Sequence, residues 1–594
     1  MLRTNTCGEL SKKELKKKVS LCGWVHSRRD HGGVIFIDLR DRYGLTQIVF
    51  DPSHNKEVHK MADKLRREDV IQAKGAVRSR TKGMANPKLK TGEIEVIVSE
   101  LKVFNKSEVP PIEIDDRKPS GEDTRMKYRY LDLRRPSVQE KFVIRHKTMQ
   151  VAREFLSARD FLEIETPMLI KPTPEGARDY IVPSRVHPGK FYSLPQSPQL
   201  YKQILMVAGF DRYFQFPRCL RDEDLRSDRQ PEHTQLDVEM CFAEQEDIFE
   251  LTEELMEQIF KKVLNVKLKT PFLRMTYDES MLRYGNDKPD LRFGLELKDV
   301  TSIVKGGEFK VFKEVAKNKG IVKGILVPRG GEFSRKKIDT YLDYARSCGA
   351  GGMVWMKVSK GVLESNVAKF FSEKIQKELI KTLGAKEGDM IFLVGDSVKV
   401  TNGTLSRVRQ RLGQELNLIN EKEFNFCIIT DFPLFEWNSD EEKWDPMHHI
   451  FTAPREGDLK YLEKDPSKVY GQLYDLVLNG TELYSGSIRN SNVEIQERMM
   501  KVIGMSKEEA KDKFGFLLEA YRYGGPVHAG FGLGFDRLVA LMCGTEDIRE
   551  VIAFPKSKSA ENLMDGCPLV VDQKELKEVH IELNDFAKKS LNKK

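Results

Sequence analysis

Polar and charged residues recur at every second position in one short segment of this 594-residue chain. Gln235, Asp237 and Glu239 have this spacing, and Arg221 and Glu223 have it a few residues earlier. Successive side chains of a strand point to opposite faces, so each set is predicted to line one face of a hairpin. Buried charges are costly unless they meet partners, so we predict a site for a charged ligand, with a surface hairpin of ion pairs as the alternative.

A second segment, Gly524 to Met542, combines glycines with an arginine. It predicts a glycine-rich strand that runs into an amphipathic helix, with Arg537 at the start of the helix. Glycine lets a planar ligand approach the backbone, and the arginine fork binds phosphate in a bidentate manner. The spacing matches neither the Walker pattern nor the dinucleotide-binding fingerprint. A nucleotide site of another type is therefore predicted.

The composition restricts the class of protein that carries these residues. Hydrophobic residues make up 40% of the chain and charged residues 32%, as in a globular protein rather than a disordered or membrane one. No apolar run of membrane-spanning length and no secretory signal occurs in the sequence. The eight cysteines form no C-x-x-C pair, which argues against a zinc ribbon or a disulfide framework. These features predict a cytoplasmic protein.

Regular elements must hold the polar segments in place. Residues 20–104 predict five short strands, with a helical segment from His54 to Arg67 between them, as in a small oligonucleotide-binding barrel. A proline-containing linker precedes a long amphipathic helix, predicted from Ser137 to Arg159. Residues 291–422 are rich in glycine and lysine, predict several βα-like units and read as an insertion.

Three segments in this order resemble motifs 1, 2 and 3 of the class II aminoacyl-tRNA synthetases: Phe161–Leu169, Arg218–Met240 and Gly524–Met542. KSKS at 556–559 resembles a class I loop, but it lacks an upstream histidine-containing partner and is rejected. Further stretches resemble bacterial aspartyl-tRNA synthetases over nearly the whole chain, namely KPTPEGARDYIVPSR, PQSPQLYKQ, DPMHHIFTAP, SGSIR and FIDLRDRYG with Gln47.

The resemblance implies an α+β, multidomain fold. Its parts are an OB-fold anticodon-binding barrel, a class II antiparallel sheet flanked by helices, and an inserted α/β domain. The implied boundaries are 1–107 for the barrel, 108–135 for a hinge, 136–290 and 423–565 for the catalytic domain, 291–422 for the insertion and 566–594 for a C-terminal extension. Motif 1 implies a homodimer with Pro167 at the subunit interface.

The family resemblance also implies ATP-dependent attachment of L-aspartate to tRNA through an aspartyl-adenylate, with ATP and Mg²⁺ as cofactors. Catalytic roles fall to Arg221, Glu223 and Arg537. The implied aspartate site consists of Glu175, Ser197, Gln199, Lys202, Arg221, Asp237, His448, His449 and Arg489. The implied ATP site consists of Arg221, Asp222, Glu223, Gln230, His233, Glu482, Gly534, Phe535, Asp536 and Arg537. Asp475 and Glu482 are implied to hold Mg²⁺.

The chemistry of aspartate agrees with these roles. Arg489 and Lys202 provide positive charge for its side-chain carboxylate, and asparagine would leave that charge unpaired in a desolvated pocket. Departures from the family pattern occur at His233 in place of another aromatic residue, at Tyr484 and Ser485 in place of glycines, and at Ile450 in place of proline.

In the barrel, the anticodon is predicted to contact Arg28, Phe36 and Gln47. His31 and Gly83 resemble a combination found in family members with relaxed anticodon choice, so the predicted partners are tRNA(Asp) and tRNA(Asn). No membrane or DNA partner is predicted. The alternatives are a strictly tRNA(Asp)-specific enzyme, a related synthetase for asparagine or lysine, and a non-catalytic tRNA-binding paralogue.

Overall fold

The structure is a computed structural model that describes residues 1–118, 120–172 and 176–591. The chain divides into two compact units. One contains Met1–Val143 and Arg549–Val570, and the other contains Ile144–Ile548 and Val571–Lys594.

A closed five-stranded barrel forms most of the first unit, in the strand order β1-β2-β3-β5-β4. Its elements are β1 (Lys18–His31), β2 (Val34–Asp41), β3 (Gly44–Phe50), α1 (Lys56–Asp63), β4 (Val70–Ser79) and β5 (Ile94–Asn105). Alternation along β2 sends Ile35, Ile37 and Leu39 into the core, where none is exposed. The barrel and its helix were predicted correctly, although α1 is shorter than the predicted segment.

The remainder of the first unit is organised around Asp132, a fully buried carboxylate. It follows α2 (Glu122–Lys127), ends α3 (Arg129–Asp132), and binds the guanidinium groups of Arg125, Arg129 and Arg135. Arg129 also donates to the carbonyl oxygens of Arg549, Ile552 and Ala553. These bonds explain why residues 549–570 belong to this unit. The long helix α4 (Pro136–Ser157) contains the division between the two units and begins one residue before its predicted start.

A nine-stranded sheet forms the centre of the second unit, in the order β12-β18-β21-β22-β23-β11-β9-β6, with β10 paired to β11. The elements before the predicted insertion are β6 (Leu162–Glu163), β7 (Ile181–Pro183), β8 (Phe191–Ser193), α5 (Gln199–Val207), β9 (Arg212–Gln215), β10 (Arg218–Leu220), β11 (Glu232–Cys241), α6 (Gln245–Ile259), β12 (Leu273–Thr276) and α7 (Tyr277–Tyr284). From β18 to β9 all neighbours are antiparallel, as predicted.

The predicted insertion carries its own five-stranded sheet, in the order β13-β14-β17-β15-β16, and all its strand pairs are antiparallel. Its elements are β13 (Lys298–Asp299), α8 (Thr301–Val304), α9 (Lys310–Lys317), β14 (Ile321–Val327), α10 (Arg335–Ser347), β15 (Val354–Ser359), β16 (Val362–Glu364), α11 (Glu373–Leu383), β17 (Met390–Asp396) and α12 (Val398–Glu415). Helices cover both faces, because one core contains Tyr341 and Leu405 and the other contains Phe312 and Leu379.

The chain then returns to the central sheet. The remaining elements are β18 (Phe426–Thr430), β19 (Phe435–Asn438), β20 (Lys443–Pro446), β21 (Leu473–Leu478), β22 (Thr481–Ile488), α13 (Val493–Val502), α14 (Lys507–Tyr521), β23 (His528–Gly534), α15 (Phe535–Met542), α16 (Gln573–Glu578) and α17 (Asp585–Leu591). The C-terminal region, predicted to end in one polar helix, contains two short helices. Within the described part of the chain, no helix is long and apolar enough to cross a bilayer.

Candidate active site and nucleic-acid interface

The middle strand β11 places two carboxylates on one face of the central sheet, as its period-two pattern predicts. Asp237 lies opposite Gly532 and Glu239 lies opposite Gly530 on the neighbouring strand β23. A Cβ atom on Gly530 would stand 2.1 Å from Glu239 Oε2, so only glycine leaves room for this carboxylate. The glycines of the third motif therefore make space for the acidic side chains of the second.

Two cations from distant segments join these carboxylates in a buried cluster. Lys202 on α5 lies with Nζ 2.9 Å from Asp237 Oδ1 and 3.3 Å from Glu239 Oε2. Arg489, just after β22, donates two hydrogen bonds to Glu239, from Nε to Oε1 at 2.8 Å and from Nη2 to Oε2 at 3.1 Å. At most 3% of any of the four residues is exposed. Each charge thus has a partner, as burial requires.

The two carboxylates differ in their capacity for a further partner. Burial alone would raise the pKa of Glu239, but Arg489 and Lys202 outweigh it and lower the pKa to about 2. For Asp237, burial raises the pKa more than Lys202 lowers it. Its Oδ2 is buried and accepts no hydrogen bond from the described residues. Asp237 therefore offers an acceptor for a positively charged ligand group, whereas Glu239 is satisfied.

The adjacent histidines have opposite electrostatic surroundings. Both ring nitrogens of His449 face N–H donors, Arg489 Nη1 at 2.7 Å and Phe451 N at 3.2 Å. Burial and Arg489 hold the pKa of His449 well below its ordinary value, so this ring is neutral. His448 lies with Nε2 3.5 Å from Asp475 Oδ1. Burial lowers the pKa of His448, but the carboxylate of Asp475 reverses the effect and raises it.

Arg221 is a half-buried cation whose side chain has a donor available for an anion. The strand predicted to carry Arg221 and Glu223 ends at Leu220, so that expectation is corrected: both lie in the following turn, where the Arg221 amide donates to Pro231 O at 2.8 Å. Arg221 Nε is buried and has no hydrogen-bond partner among the described residues. Glu223 binds Arg229 at 2.8 Å.

His233 lies beside Arg221 at the start of β11, opposite Cys219 on β10. Burial, together with the guanidinium groups of Arg221 and Arg537, lowers the pKa of His233 to about 3. The ring is therefore uncharged and able to stack on a base. Gln230, which ends the loop before β11, is buried as well.

Arg537 reaches the same region from the first turn of α15, which begins directly after Gly534. Its Nη1 donates to Glu482 O at 2.9 Å and lies 3.9 Å from Glu482 Oε1. Phe535 and Asp536, also predicted to bind ATP, are buried in other contacts. Phe535 packs edge-on against Phe216, and Asp536 accepts from the Thr234 amide at 2.8 Å.

The predicted Mg²⁺ ligands lie on two strands, not on one continuous stretch. Asp475 is on β21 and Glu482 on β22, joined by a tight turn at Asn479 and Gly480. Burial and the neighbouring Asp475 carboxylate raise the pKa of Glu482. Two carboxylates that repel each other in this way fit a hard divalent cation, and Mg²⁺ commonly takes one or two protein carboxylates with phosphate oxygens. No group of three His, Cys, Asp or Glu ligands occurs among the described residues.

Helix α5 arranges the other predicted aspartate contacts. Ser197 Oγ accepts from the Gln199 amide at 3.2 Å just before the helix, and Lys202 follows one turn later. Gln199 Nε2 is buried without a hydrogen-bond partner among the described residues. Asp222 lies at the rim, paired with Arg178 at 3.4 Å. Glu175 lies outside the described residues.

Two buried residues of this site are absent from the predicted aspartate and ATP residues. Glu239 links Arg489 to Lys202, and the period-two pattern on β11 already contained the signal for it. Gln196 donates to Ala177 O at 2.8 Å and accepts from the Ala177 amide at 3.2 Å, and so holds the loop after the undescribed residues. No local sequence pattern marks Gln196.

The departures from the family pattern are accommodated by packing. Tyr484 stacks on Phe531, with ring centroids 4.4 Å apart, and its hydroxyl lies 3.1 Å from Thr252 Oγ1. Ser485 lies on β22 opposite Asp475, and Ile450 is buried in an apolar cluster.

In the barrel, Phe36 and Gln47 share an outer face. Gln47 Nε2 donates to Glu95 Oε2 at 2.7 Å, while Arg29 Nη2 lies 3.3 Å from Gln47 Oε1. The strand register places Arg29 opposite Phe36. Arg28 instead lies opposite the core residue Ile37, so the structure does not bring Arg28 together with Phe36 and Gln47.

A bulge in β1 between Val25 and Ser27 decides which arginine shares this face, because one extra residue reverses the alternation of side chains. Arg28 pairs with Asp63 of α1 at 2.5 Å. His31 ends β1 as an exposed residue. Gly83 is exposed in the loop after β4, with φ +84° and open space around it.

The fold of the chain matches that of solved class II synthetases. An asparaginyl-tRNA synthetase from Pyrococcus horikoshii, complexed with asparaginyl-adenylate, aligns at 20% identity with a TM-score of 0.59, over 94% of this chain and 99% of that one. A putative aspartyl-tRNA synthetase from Leishmania major Friedlin aligns at 18% identity with a TM-score of 0.59, over 93% and 94% of the two chains. At this identity the likeness concerns the fold.

Sequence comparison assigns the chain to one family within this class. Residues 121–558 match the profile described as "tRNA synthetases class II (D, K and N)", and residues 19–104 match "OB-fold nucleic acid binding domain". The chain belongs to this class II tRNA synthetase family, which confirms the resemblance seen in the motifs.

Close relatives in sequence span the full length of the chain. It is 51% identical over 582 residues to a protein named aspartate–tRNA(Asp/Asn) ligase from Caldanaerobacter subterraneus subsp. tengcongensis, covering 98% of both chains. It is also 51% identical over 588 residues to the protein of that name from Treponema denticola, covering 98% of this chain and 100% of that one.

Proposed function

We propose that this protein is a ligase that attaches L-aspartate to tRNA at the expense of ATP, with AMP and diphosphate as products. The observation that carries this proposal is the buried cluster of Lys202, Asp237, Glu239 and Arg489. Arg489 and Lys202 provide donors for the aspartate side-chain carboxylate. Asp237 Oδ2 provides a buried acceptor without a described partner for the substrate ammonium group, and Gln199 Nε2 provides a buried donor for a carboxylate oxygen. Glu239 restrains the two cations, so the pocket exists before the substrate binds.

The reaction needs positioning and charge neutralisation rather than a protein nucleophile. An oxygen of the aspartate α-carboxylate forms a bond to the α-phosphorus of ATP, and the bond from that phosphorus to diphosphate breaks. Arg221 is placed to stabilise the charge that develops there, and Arg537 to hold the departing phosphates. Mg²⁺ held by Asp475 and Glu482 would supply further positive charge to the polyphosphate. The terminal ribose hydroxyl of tRNA then attacks the aspartyl carbonyl and releases AMP.

The barrel is the proposed anticodon reader. Phe36 offers a ring for stacking and the exposed Arg29 offers hydrogen bonds, while Gln47, which is buried and bonded to Glu95 and Arg29, holds Arg29 beside Phe36. His31 and Gly83 are exposed, and the space around Gly83 is open, which supports tolerance of both anticodons. The printed names of the relatives, with both Asp and Asn, support charging of tRNA(Asp) and tRNA(Asn). A strictly tRNA(Asp)-specific enzyme is the alternative.

We also propose a homodimer that forms around motif 1. Leu162 on the edge strand β6 is exposed, and so are Pro167, Met168 and Leu169 just beyond it. An edge strand followed by exposed apolar residues is a suitable surface for a second copy of the chain.

The proposal is tested by amino-acid-dependent exchange of radiolabelled diphosphate into ATP, measured with all twenty amino acids. We expect exchange with aspartate, and at least about 10³-fold less with asparagine or lysine, because asparagine leaves buried donors unpaired. Equal exchange with asparagine contradicts the assignment. Charging of purified tRNA(Asp) and tRNA(Asn) then separates the relaxed enzyme from the strict one: a preference above about 10²-fold for tRNA(Asp), near the upper limit of what one base contact supplies, supports the strict alternative.

A further inference from the structure

A lysine outside the three motifs faces the predicted Mg²⁺ carboxylates. Lys288 follows α7, and its Nζ lies 3.9 Å from Glu482 Oε2 and 3.5 Å from Asp287 Oδ1. Its side chain is 46% exposed, so the ammonium group stands at the edge of the site and remains open to a ligand.

The backbone around Lys288 is held on both sides. Asn286 Oδ1 accepts from the Lys288 amide at 3.0 Å, and Asn286 O accepts from Ser280 Oγ at 2.7 Å. On the other side, Asp290 O accepts from Arg409 Nη2 at 2.9 Å. Arg409 belongs to α12, so a helix of the predicted insertion fixes the segment that carries this lysine. The position of Lys288 is therefore part of the fold rather than a chance orientation of a loop.

The charges around Glu482 point to a ligand. Lys288 and Arg537 approach its carboxylate from separate segments, each at 3.9 Å. A half-exposed ion pair contributes little to stability, so replacing Lys288 should leave the fold intact.

We propose that Lys288 binds the β- and γ-phosphates of ATP, and the diphosphate released from it, together with Arg537. The inference rests on the proposed function. Lysine is a common point-charge partner for phosphate. Asp475 and Glu482 would hold Mg²⁺, and a Glu482 carboxylate engaged in this way would leave the Lys288 ammonium available to phosphate oxygens.

The test compares Lys288→Met with the wild type in equilibrium binding of Mg·ATP, inorganic diphosphate and AMP by calorimetry. Loss of one charge-assisted contact is expected to weaken Mg·ATP and diphosphate by about 10-fold to 100-fold. AMP lacks the two outer phosphates, so its binding should change less than about 2-fold. Lys288→Arg should retain most of the affinity, and the KM for ATP should rise more than that for aspartate.

Lys298 provides a matched control. Its side chain is 47% exposed, and its Nζ lies 3.5 Å from Glu296 Oε2. Lys298 is on β13, whereas Asp475 and Glu482 are on β21 and β22. Lys298→Met should bind all three ligands as the wild type does.

Each other outcome is decisive. Unchanged diphosphate binding in Lys288→Met overturns the inference, and so does equal weakening of AMP, which indicates a general disturbance of the site. If high Mg²⁺ restores diphosphate binding to Lys288→Met, Lys288 acts on the metal carboxylates instead of phosphate, and the inference is also overturned. If the wild type itself shows no aspartate-dependent exchange, the proposed function fails instead.

Discussion

The same ion pair, an arginine with a carboxylate, occurs in two very different settings in this protein. In the central sheet, Arg489 and Glu239 have side chains that are 1% and 0% exposed. On the barrel, Arg29 Nη2 lies 3.0 Å from Asp38 Oδ1, but the Arg29 side chain is 57% exposed. The distances between donor and acceptor are similar, so only the surroundings distinguish the two pairs.

The surroundings determine what each pair can do. In the buried cluster the attraction is screened little, and breaking the pair leaves an uncompensated charge. Such a pair fixes the shape of a pocket. On the barrel, water and salt screen the charges, so Arg29 can exchange its carboxylate for an RNA group at little cost. We infer that rigidity suits the amino-acid pocket and exchangeable contacts suit the anticodon face.

The largest effect is expected from Glu239→Gln, which removes the charge that balances Arg489. Loss of one partner of a buried pair costs about 3–5 kcal/mol. Aspartate-dependent adenylate formation should therefore fall by about 10³-fold in single-turnover measurements, with a lower melting temperature. Glu463→Gln, which breaks the exposed pair with Arg498, is the control and should change neither quantity appreciably.

The same variant has a pH signature. The pKa of Glu239 is lowered from 4.5 to about 2, so its contribution to stability is present above about 4.5 and is lost as pH falls towards 2. Glu239→Gln should remove this part of the acid dependence of the free energy of unfolding. If the free energy of unfolding depends on pH below about 4.5 in the same way in the variant and the wild type, Glu239 does not carry the buried charge.

A smaller loss is expected from Arg537→Ala, because Arg537 is partly exposed and its contacts with Glu482 are one hydrogen bond to a carbonyl oxygen and one ion pair at 3.9 Å. Adenylate formation should fall by about 10²-fold, the typical effect of removing one transition-state charge partner. Thermal stability should stay close to that of the wild type. Near-normal single-turnover adenylation would contradict the role given to this residue.

On the barrel, Phe36→Ala should lower kcat/KM for tRNA charging by about 10-fold, since one stacked base contributes about 1–3 kcal/mol. Diphosphate exchange should not change. Phe104→Ala alters an exposed aromatic residue on β5 and serves as the control. A loss of exchange in Phe36→Ala would mean that the barrel face acts on the amino-acid pocket.

The smallest effect is expected from His31→Leu. The wild type should charge tRNA(Asp) and tRNA(Asn) within about 10-fold of each other, and the variant should shift this ratio towards tRNA(Asp) by about 5-fold, the lower limit for one base contact of about 1–3 kcal/mol. The measurement is kcat/KM for both purified tRNAs. An unchanged ratio would remove His31 from the specificity-determining residues.

Patterns within short segments were enough to predict much of this protein. The alternation along β2 and β11 predicted the barrel core and the acidic face of the central sheet, because a strand repeats every two residues wherever it lies. The glycines before Arg537 were predicted to let a planar ligand approach the backbone, which stays a prediction, and the structure shows that Gly530 makes room for the Glu239 side chain. The three motifs, read together, were sufficient to place the chain in its family.

Tertiary structure decided which side chains meet. Glu239 contacts Arg489 across 250 positions of sequence, and Lys288 reaches Glu482 because α12 of the predicted insertion holds its loop. The bulge in β1 places Arg29, not Arg28, beside Phe36, although the two arginines are adjacent in sequence. Periodicity is a property of a few consecutive residues. A single extra residue in one strand changes the face on which a side chain lies, and a partner from a distant segment changes its electrostatic environment. Neither change has a local sign in the sequence.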